Sequence, residues 1–205
     1  MKTKRFAALL AAALLTLCAA PASAETYTVV SGDSLWKISR RYEIGLSEII
    51  DANPQIKNPS LIFPGDRVNI PTRPSLESEE DEVIAIVNRE RAKYGLSPLK
   101  KNWELCRVAR YKSEDMIRNG YFAHNSPTYG SPFDMMESFG LRFTAAAENI
   151  AYGQRTPAEV MNAWMNSPGH RSNILSGNVS EIGVGAARKP NGVIYWTQMF
   201  IRPAK

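Results

Sequence analysis

Apolar positions along this chain recur with two periods, and the change of period divides it. Between residues 27 and 71 the pattern predicts strand, helix, helix, strand. Tyr27-Thr28-Val29-Val30 is aromatic and β-branched, the composition of a strand. The turn Ser31-Gly32-Asp33-Ser34 follows, with Asp33 or Ser34 placed to cap a helix in which Leu35, Ile38 and Tyr42 fall on one face. Ser47 is expected to cap a second helix carrying Ile49 and Ile50 and ended by Asn53-Pro54. Gly65-Asp66 then turns the chain into a second strand that reaches Pro71.

From Val83 the period is helical. Val83, Ile86, Val87 and Tyr94 share a face, and Gly95 with Pro98 ends the run. A second helix is expected from about Trp103 to Asn119, with Leu105, Val108, Ala109 and Met116 inward. Ser131-Pro132-Phe133-Asp134 starts a short third helix that stops at Gly140. Thr156-Pro157-Ala158-Glu159 is a capping box for a fourth, carrying Val160, Met161 and Trp164. Two strand-like runs close the chain, Glu181 to Arg188 and Val193 to Ile201, joined by a turn whose Asn191-Gly192 signals a hairpin. The expected fold class is α+β: a small β-α-α-β module followed by a layered domain of helices and sheet.

Composition changes the picture at three places. The 205 residues are 44% hydrophobic and carry a formal net charge of +5, which excludes a disordered chain, a coiled coil and a multi-span membrane protein. Residues 1–24 read as a signal peptide: Lys2, Lys4 and Arg5, an apolar run from Phe6 to Ala20 that is too short to span a bilayer, and Ala22-Ser23-Ala24 as cleavage site. Acylation of Cys18 is the weaker alternative, because Leu17 stands where a small residue is needed. Removal of that segment leaves Cys106 as the one cysteine, no intramolecular disulfide, no transmembrane segment, and a fold that must rest on hydrophobic cores. Residues 73–82, with five acids, read as an acidic linker running into a helix N-terminus. Net charge is −1 over residues 25–72, −4 over 73–82 and +7 over 83–205. The basic part invites contact with anionic wall polymers such as teichoic acids. The plainer reading is that Arg89, Arg91, Lys93, Lys100, Lys101, Arg107, Arg110 and Lys112 are solvated helix faces. No nucleic-acid recognition motif appears.

Candidate chemistry is sparse. The two histidines, His124 and His170, each stand beside turn residues, and Glu148 lies between them among apolar neighbours. Two imidazoles and a carboxylate can hold a divalent ion such as zinc with one position open, or can form a hydrogen-bonded network lining a cleft. Spacing does not separate these, since no H-E-x-x-H helix exists. A serine hydrolase could combine Ser126 with His170 and Glu148, but the chain lacks a G-x-S-x-G elbow. Cys106 sits mid-helix, where thiols are buried and inert. A zinc hydrolase would need Glu148 both as base and as ligand. The residues favour a binding protein over an enzyme.

The segments YTVVSGDSLWKIS, the Asn53-Pro54 pair and LIFPGDRVNIP, in this order, resemble a LysM domain over residues 25–72. The resemblance implies binding of N-acetylglucosamine-containing glycan, peptidoglycan in a bacterium or a chitin-like glycan. It places the sugar between Gly32, Asp33 and Ser34 on one side and Leu61, Ile62 and Phe63 on the other. YFAHNSP, AENIAYG, AWMNSPGHRSNIL, SEIGVGAA and YWTQMF together look like the CAP superfamily (cysteine-rich secretory protein, antigen 5, pathogenesis-related 1) in its disulfide-free bacterial SCP-like form, with residues 83–205 as the domain. That likeness implies an α-β-α sandwich with a cleft around His124, Glu148 and His170. Many eukaryotic members carry a further cleft glutamate where this chain has Met165-Asn166-Ser167, leaving Glu181 as the remaining candidate acid. The family's members bind lipids, sterols or metals, so the resemblance does not imply a settled reaction. A LysM followed by a CAP domain is similar to proteins of endospore-forming bacteria, which implies a secreted protein of the cell wall or spore envelope.

Overall fold

The computed structural model describes residues 25–71 and 76–204. The signal peptide expected over residues 1–24, residue 72 of the expected LysM domain and residues 73–75 of the expected linker lie outside them.

The N-terminal module is β1 (Glu25–Thr28), α1 (Leu35–Arg41), α2 (Leu46–Asp51) and β2 (Arg67–Ile70). β1 and β2 pair antiparallel from Glu25 opposite Ile70 to Thr28 opposite Arg67. Val29, Leu35, Ile38, Ile49, Val68 and Ile70 form its core. Ser34 caps α1 by accepting the Lys37 N–H at 3.2 Å. Asp33 instead staples the turn, accepting from Tyr27 Oη at 2.7 Å and the Val30 N–H at 3.0 Å, and these bonds hold its carboxyl below the usual range. The expected cap Ser47 is not used. α2 begins two residues earlier, with Gly45 as N-cap and the Glu48 carboxylate accepting the Gly45 N–H.

The second unit contains α3 (Glu77–Lys93), β3 (Lys100–Lys101), α4 (Trp103–Arg118), α5 (Pro132–Ser138), β4 (Phe143–Tyr152), α6 (Pro157–Met165), α7 (Pro168–Ile174), β5 (Glu181–Arg188) and β6 (Ile194–Pro203). Its sheet runs in the order β3-β5-β6-β4, parallel between β3 and β5 and antiparallel elsewhere. α4 lies across β5 and β6, and its Leu105, Val108 and Ala109 meet Met199, Ile201 and the α5 residues Met135 and Met136. On the other face, Val83 and Val87 of α3, Val160 and Trp164 of α6 and Ile174 of α7 cover Ile182, Val184, Trp196 and Phe200. This is an α-β-α sandwich, as expected.

Four elements differ from expectation. β3, β4 and α7 were not anticipated. α3 starts at Glu77 rather than near Val83, so residues 77–82, assigned to the linker, are its first turns. Glu80 in that stretch is buried and bonded to Arg110 and to the Ala186 N–H. The basic face is also not a free surface. Lys112 and Arg91 are buried, Arg107 and Arg110 pair with Glu48 and Glu80, Lys101 with Asp81, Arg89 with Glu82, and Lys93 with Glu90. A helix that packs over a sheet must bury part of its girdle, and buried cations take partners.

The two units touch. Glu48 of α2 accepts from Arg107 Nε at 3.0 Å and from Tyr111 Oη, both on α4, and Arg40 of α1 pairs with Glu104 at 3.2 Å. Among the described residues no helix is long and apolar enough to cross a membrane.

Candidate functional site

Three segments meet at β4, the end strand of the larger sheet. α4 delivers the loop that carries His124, β4 carries Glu148, and the first turn of α7 carries His170. The loop after α4 is fixed from beneath by Asp115, a buried carboxylate that accepts from Tyr121 Oη, Ser126 Oγ, Thr128 Oγ1 and Asn119 Nδ2 at 2.6–2.7 Å. Burial alone would raise this carboxyl, but the four donors hold it below the usual range. Lys112, fully buried one turn earlier, donates its Nζ to the His124 carbonyl and lies 5.3 Å from the Tyr121 ring centre. Desolvation pushes the Lys112 ammonium down, against the charges of Glu148 and Asp115.

So placed, His124 Nδ1 stands 2.7 Å from Glu148 Oε1. The imidazole is half exposed, whereas the Glu148 side chain is 1% exposed and its Oε2 has no hydrogen-bond partner among the described residues. The hydrogen bond to Glu148 raises the His124 pKa; burial pushes the His170 pKa down, and the neighbouring His124 charge adds to that. His170 is anchored through its backbone: Asn149 Nδ2 donates to the His170 carbonyl at 3.1 Å and to Gln198 Oε1 at 2.9 Å, and Asn173 Nδ2 donates to Asn149 Oδ1 at 2.8 Å. Asn149, Asn173 and Gln198 were missed in the sequence reading, although all three lie inside the motifs that carry the resemblance.

The N-terminal module presents a second concavity. A groove of about 260 Å³ is lined by Asp33, Ser34, Trp36, Leu46, Ser60, Leu61 and Ile62, among others. Of the six expected glycan-contacting residues, Asp33, Ser34, Leu61 and Ile62 are thus brought together. Gly32, at φ 88°, supplies the turn but no wall, and Phe63, also exposed, lies outside the lining. The exposed Trp36 was not anticipated as a wall.

Residues 84–200, more than half of the chain, match the family model described as CAP, cysteine-rich secretory protein family. The chain belongs to this family. Residues 27–71 match the LysM domain model, a class of module that binds peptidoglycan or chitin. The uncharacterized protein YkwD of Bacillus subtilis (strain 168) is 54% identical over 127 residues, 62% of this chain and 48% of YkwD. A crystal structure of an extracellular SCP-domain protein from Bacillus anthracis str. Ames superposes with a TM-score of 0.59 at 30% identity, covering 67% of this chain and 47% of that one. A stretch of 46 residues is 41% identical to SpoIVD-associated factor A of Bacillus subtilis (strain 168), 22% of this chain and 12% of that protein. The chain therefore spans about half, or less, of each of these three proteins.

Within the CAP domain the expected cleft set is brought together only in part. Glu181 lies on β5, with β6 between it and β4, and its carboxylate accepts from Asn102 Nδ2 at 2.7 Å, tying down the N-cap residue of α4. It is not a cleft acid. Among the described residues no three His, Cys, Asp or Glu side chains converge as ligands. The 2.7 Å contact to Glu148 Oε1 engages only Nδ1 of His124, the arrangement by which a carboxylate orients an imidazole. The nucleophile candidates are also engaged. Ser126 Oγ donates to Asp115 and accepts two backbone N–H groups, and Cys106 is buried with its thiol pushed up to about 11 by desolvation. What remains is an oriented imidazole backed by a buried carboxylate, able to hold a proton or a hydrogen-bonding ligand at its exposed nitrogen.

A histidine titration followed by NMR checks this pairing. His124 is expected to titrate above the ordinary histidine value and His170 below it. In Glu148→Gln the His124 midpoint falls while His170 stays low. The raised His124 value supports the fold below the unfolded-state value of 6.5 and loses that contribution as pH rises through its folded midpoint; His170 acts in the opposite sense. A His124 midpoint that Glu148→Gln leaves in place rules the dyad out.

Proposed function

We propose that this is a secreted, wall-associated protein that binds peptidoglycan, or another N-acetylglucosamine glycan, through the LysM groove, and that its CAP cleft takes a small ligand at His124. The observation that carries the reading is the groove itself. Short polar side chains, Ser34 and Ser60, line it together with the apolar Trp36, Leu46 and Leu61, the mixture a pyranose ring needs for its hydroxyls and its C–H faces. The sporulation-related relative SpoIVD-associated factor A supports a role in sporulation.

Sedimentation with purified peptidoglycan tests the groove. Leu61 is 54% exposed, so Leu61→Asp is expected to leave folding intact while weakening wall binding by about tenfold or more. Undiminished binding by this variant overturns the reading. The second reading, a wall-modifying hydrolase, draws on the His124–Glu148 dyad as a base for water. Release of soluble fragments from wall material, lost in His124→Ala, is the result that establishes it, and no release over the same incubation excludes it.

A further inference from the structure

The LysM groove does not end in solvent at its Trp36 side. Trp36 and Leu46 also line a crevice of about 380 Å³ between the two domains, whose far wall is CAP-domain surface: Trp103, Glu104, Arg107 and Phe139. The two concavities share a wall. The Arg40 guanidinium carbon lies 5.2 Å from the Trp36 ring centre and 5.7 Å from the Trp103 ring centre, which places both indoles within reach of one extended oligosaccharide. The clasp of Glu48 with Arg107 and Tyr111 holds the crevice walls in register.

We propose that a glycan strand held by the LysM groove continues over Trp36 into this crevice, and that Trp103 of the CAP domain stacks on it as a further sugar subsite. The inference rests on the LysM groove binding glycan. The crevice suits that occupant on two counts. Once the Arg40 side chain that lies over Trp36 and Trp103 swings aside, it offers an aromatic face beside hydroxyl and charged groups, which matches the two-sided chemistry of a pyranose. Its cations are already neutralised, Arg40 by Glu104 and Arg107 by Glu48, so it does not attract a polyanion such as teichoic acid. A linear polymer leaving the groove at Trp36 meets this surface with no new chain to recruit, and each domain then reads part of one longer strand.

Calorimetric titration of the two-domain protein with chitotriose and with chitooctaose tests the proposal. Wild type is expected to bind the octamer roughly tenfold more tightly than the trimer. Trp103→Ala removes that advantage and leaves trimer affinity within about twofold, while an unchanged thermal melt shows that its CAP domain is folded. Trp103→Phe keeps an aromatic platform and retains most of the advantage. The octamer, but not the trimer, shifts the Trp103 indole N–H resonance of the wild type. An octamer advantage that survives Trp103→Ala, or a Trp103 signal indifferent to the octamer, overturns the subsite while leaving the LysM reading intact. Failure of wild type to bind either oligomer overturns the LysM reading and the subsite with it.

Discussion

Gly185→Ala is expected to cost the CAP domain about 3 kcal/mol or more and to lower its melting temperature by roughly 10 °C. A Cβ at Gly185 would stand 2.0 Å from the Arg110 backbone nitrogen and 2.2 Å from the Ala109 carbonyl carbon; at Gly183 it would meet the Leu105 carbonyl carbon at 2.3 Å. These neighbours are backbone, so no side-chain rotation relieves the overlap. α4 would have to lift from β5 as a body. That movement breaks the buried bonds from Ser113 Oγ to the Gly185 carbonyl at 2.9 Å and between Ser113 and Thr197 at 2.8 Å. It also displaces Lys112 and Asp115, which anchor the His124 loop, so the His124 titration should move toward the ordinary histidine value in the same variant. Gly177→Ala is the control: Gly177 is exposed with open space around its α-carbon, and the change should stay within about 1 kcal/mol. Thermal unfolding followed by circular dichroism decides it, and a Gly185→Ala protein that melts within a few degrees of wild type means the helix does not ride on the glycine.

The sequence reading succeeded where side-chain period and turn chemistry point the same way. α1, α4 and α6 carry apolar residues at helical spacing, and Asn191-Gly192, with Gly192 at φ 87°, makes the expected hairpin between β5 and β6. β4 escaped because its first half is Phe143-Thr144-Ala145-Ala146-Ala147, small residues with no alternation, and because its inward-facing position 148 is an acid. α7 has seven residues and only Ile174 buried, too little pattern to register. The burial of Glu80 was legible in principle. Glu80, Val83, Ile84, Val87 and Arg91 form one buried stripe at helical spacing, but its first member stands in a run of acids and its last among bases, where charge argues for solvent. Cleft membership was legible only as far as local motifs reach. Sheet order, which no motif carries, put Glu181 on β5, with β6 between it and the strand whose Glu148 pairs with His124.

Arg110→Ala is expected to be the most pH-sensitive substitution in the molecule. β3 is two residues long, so beyond Ile182 the outer edge of β5 has no strand partner, and Glu80 fills the gap by accepting the Ala186 N–H at 2.8 Å on Oε1. Its Oε2 accepts from Arg110, with Nε and Nη2 both at 2.7 Å. The carboxylate is 1% exposed, and burial pushes its pKa above 4.5 even with the guanidinium beside it. Without Arg110 a buried charge keeps one backbone donor, a state that costs about 3–5 kcal/mol near neutral pH. The remaining escape is protonation. A carboxyl whose folded pKa is raised contributes stability below its unfolded value, and that contribution is lost as pH rises through the folded value. Removing Arg110 raises the folded value further, so the penalty of Arg110→Ala should be small near pH 4 and grow as pH rises toward neutrality. Adding Glu80→Gln removes the stranded charge while keeping an acceptor for Ala186, and the double variant should be more stable at pH 7 than Arg110→Ala alone, a coupling that a double-mutant cycle in urea measures directly. A penalty that is flat with pH, or a double variant no better than the single one, would show that Arg110 serves by packing its chain and that its charge is incidental.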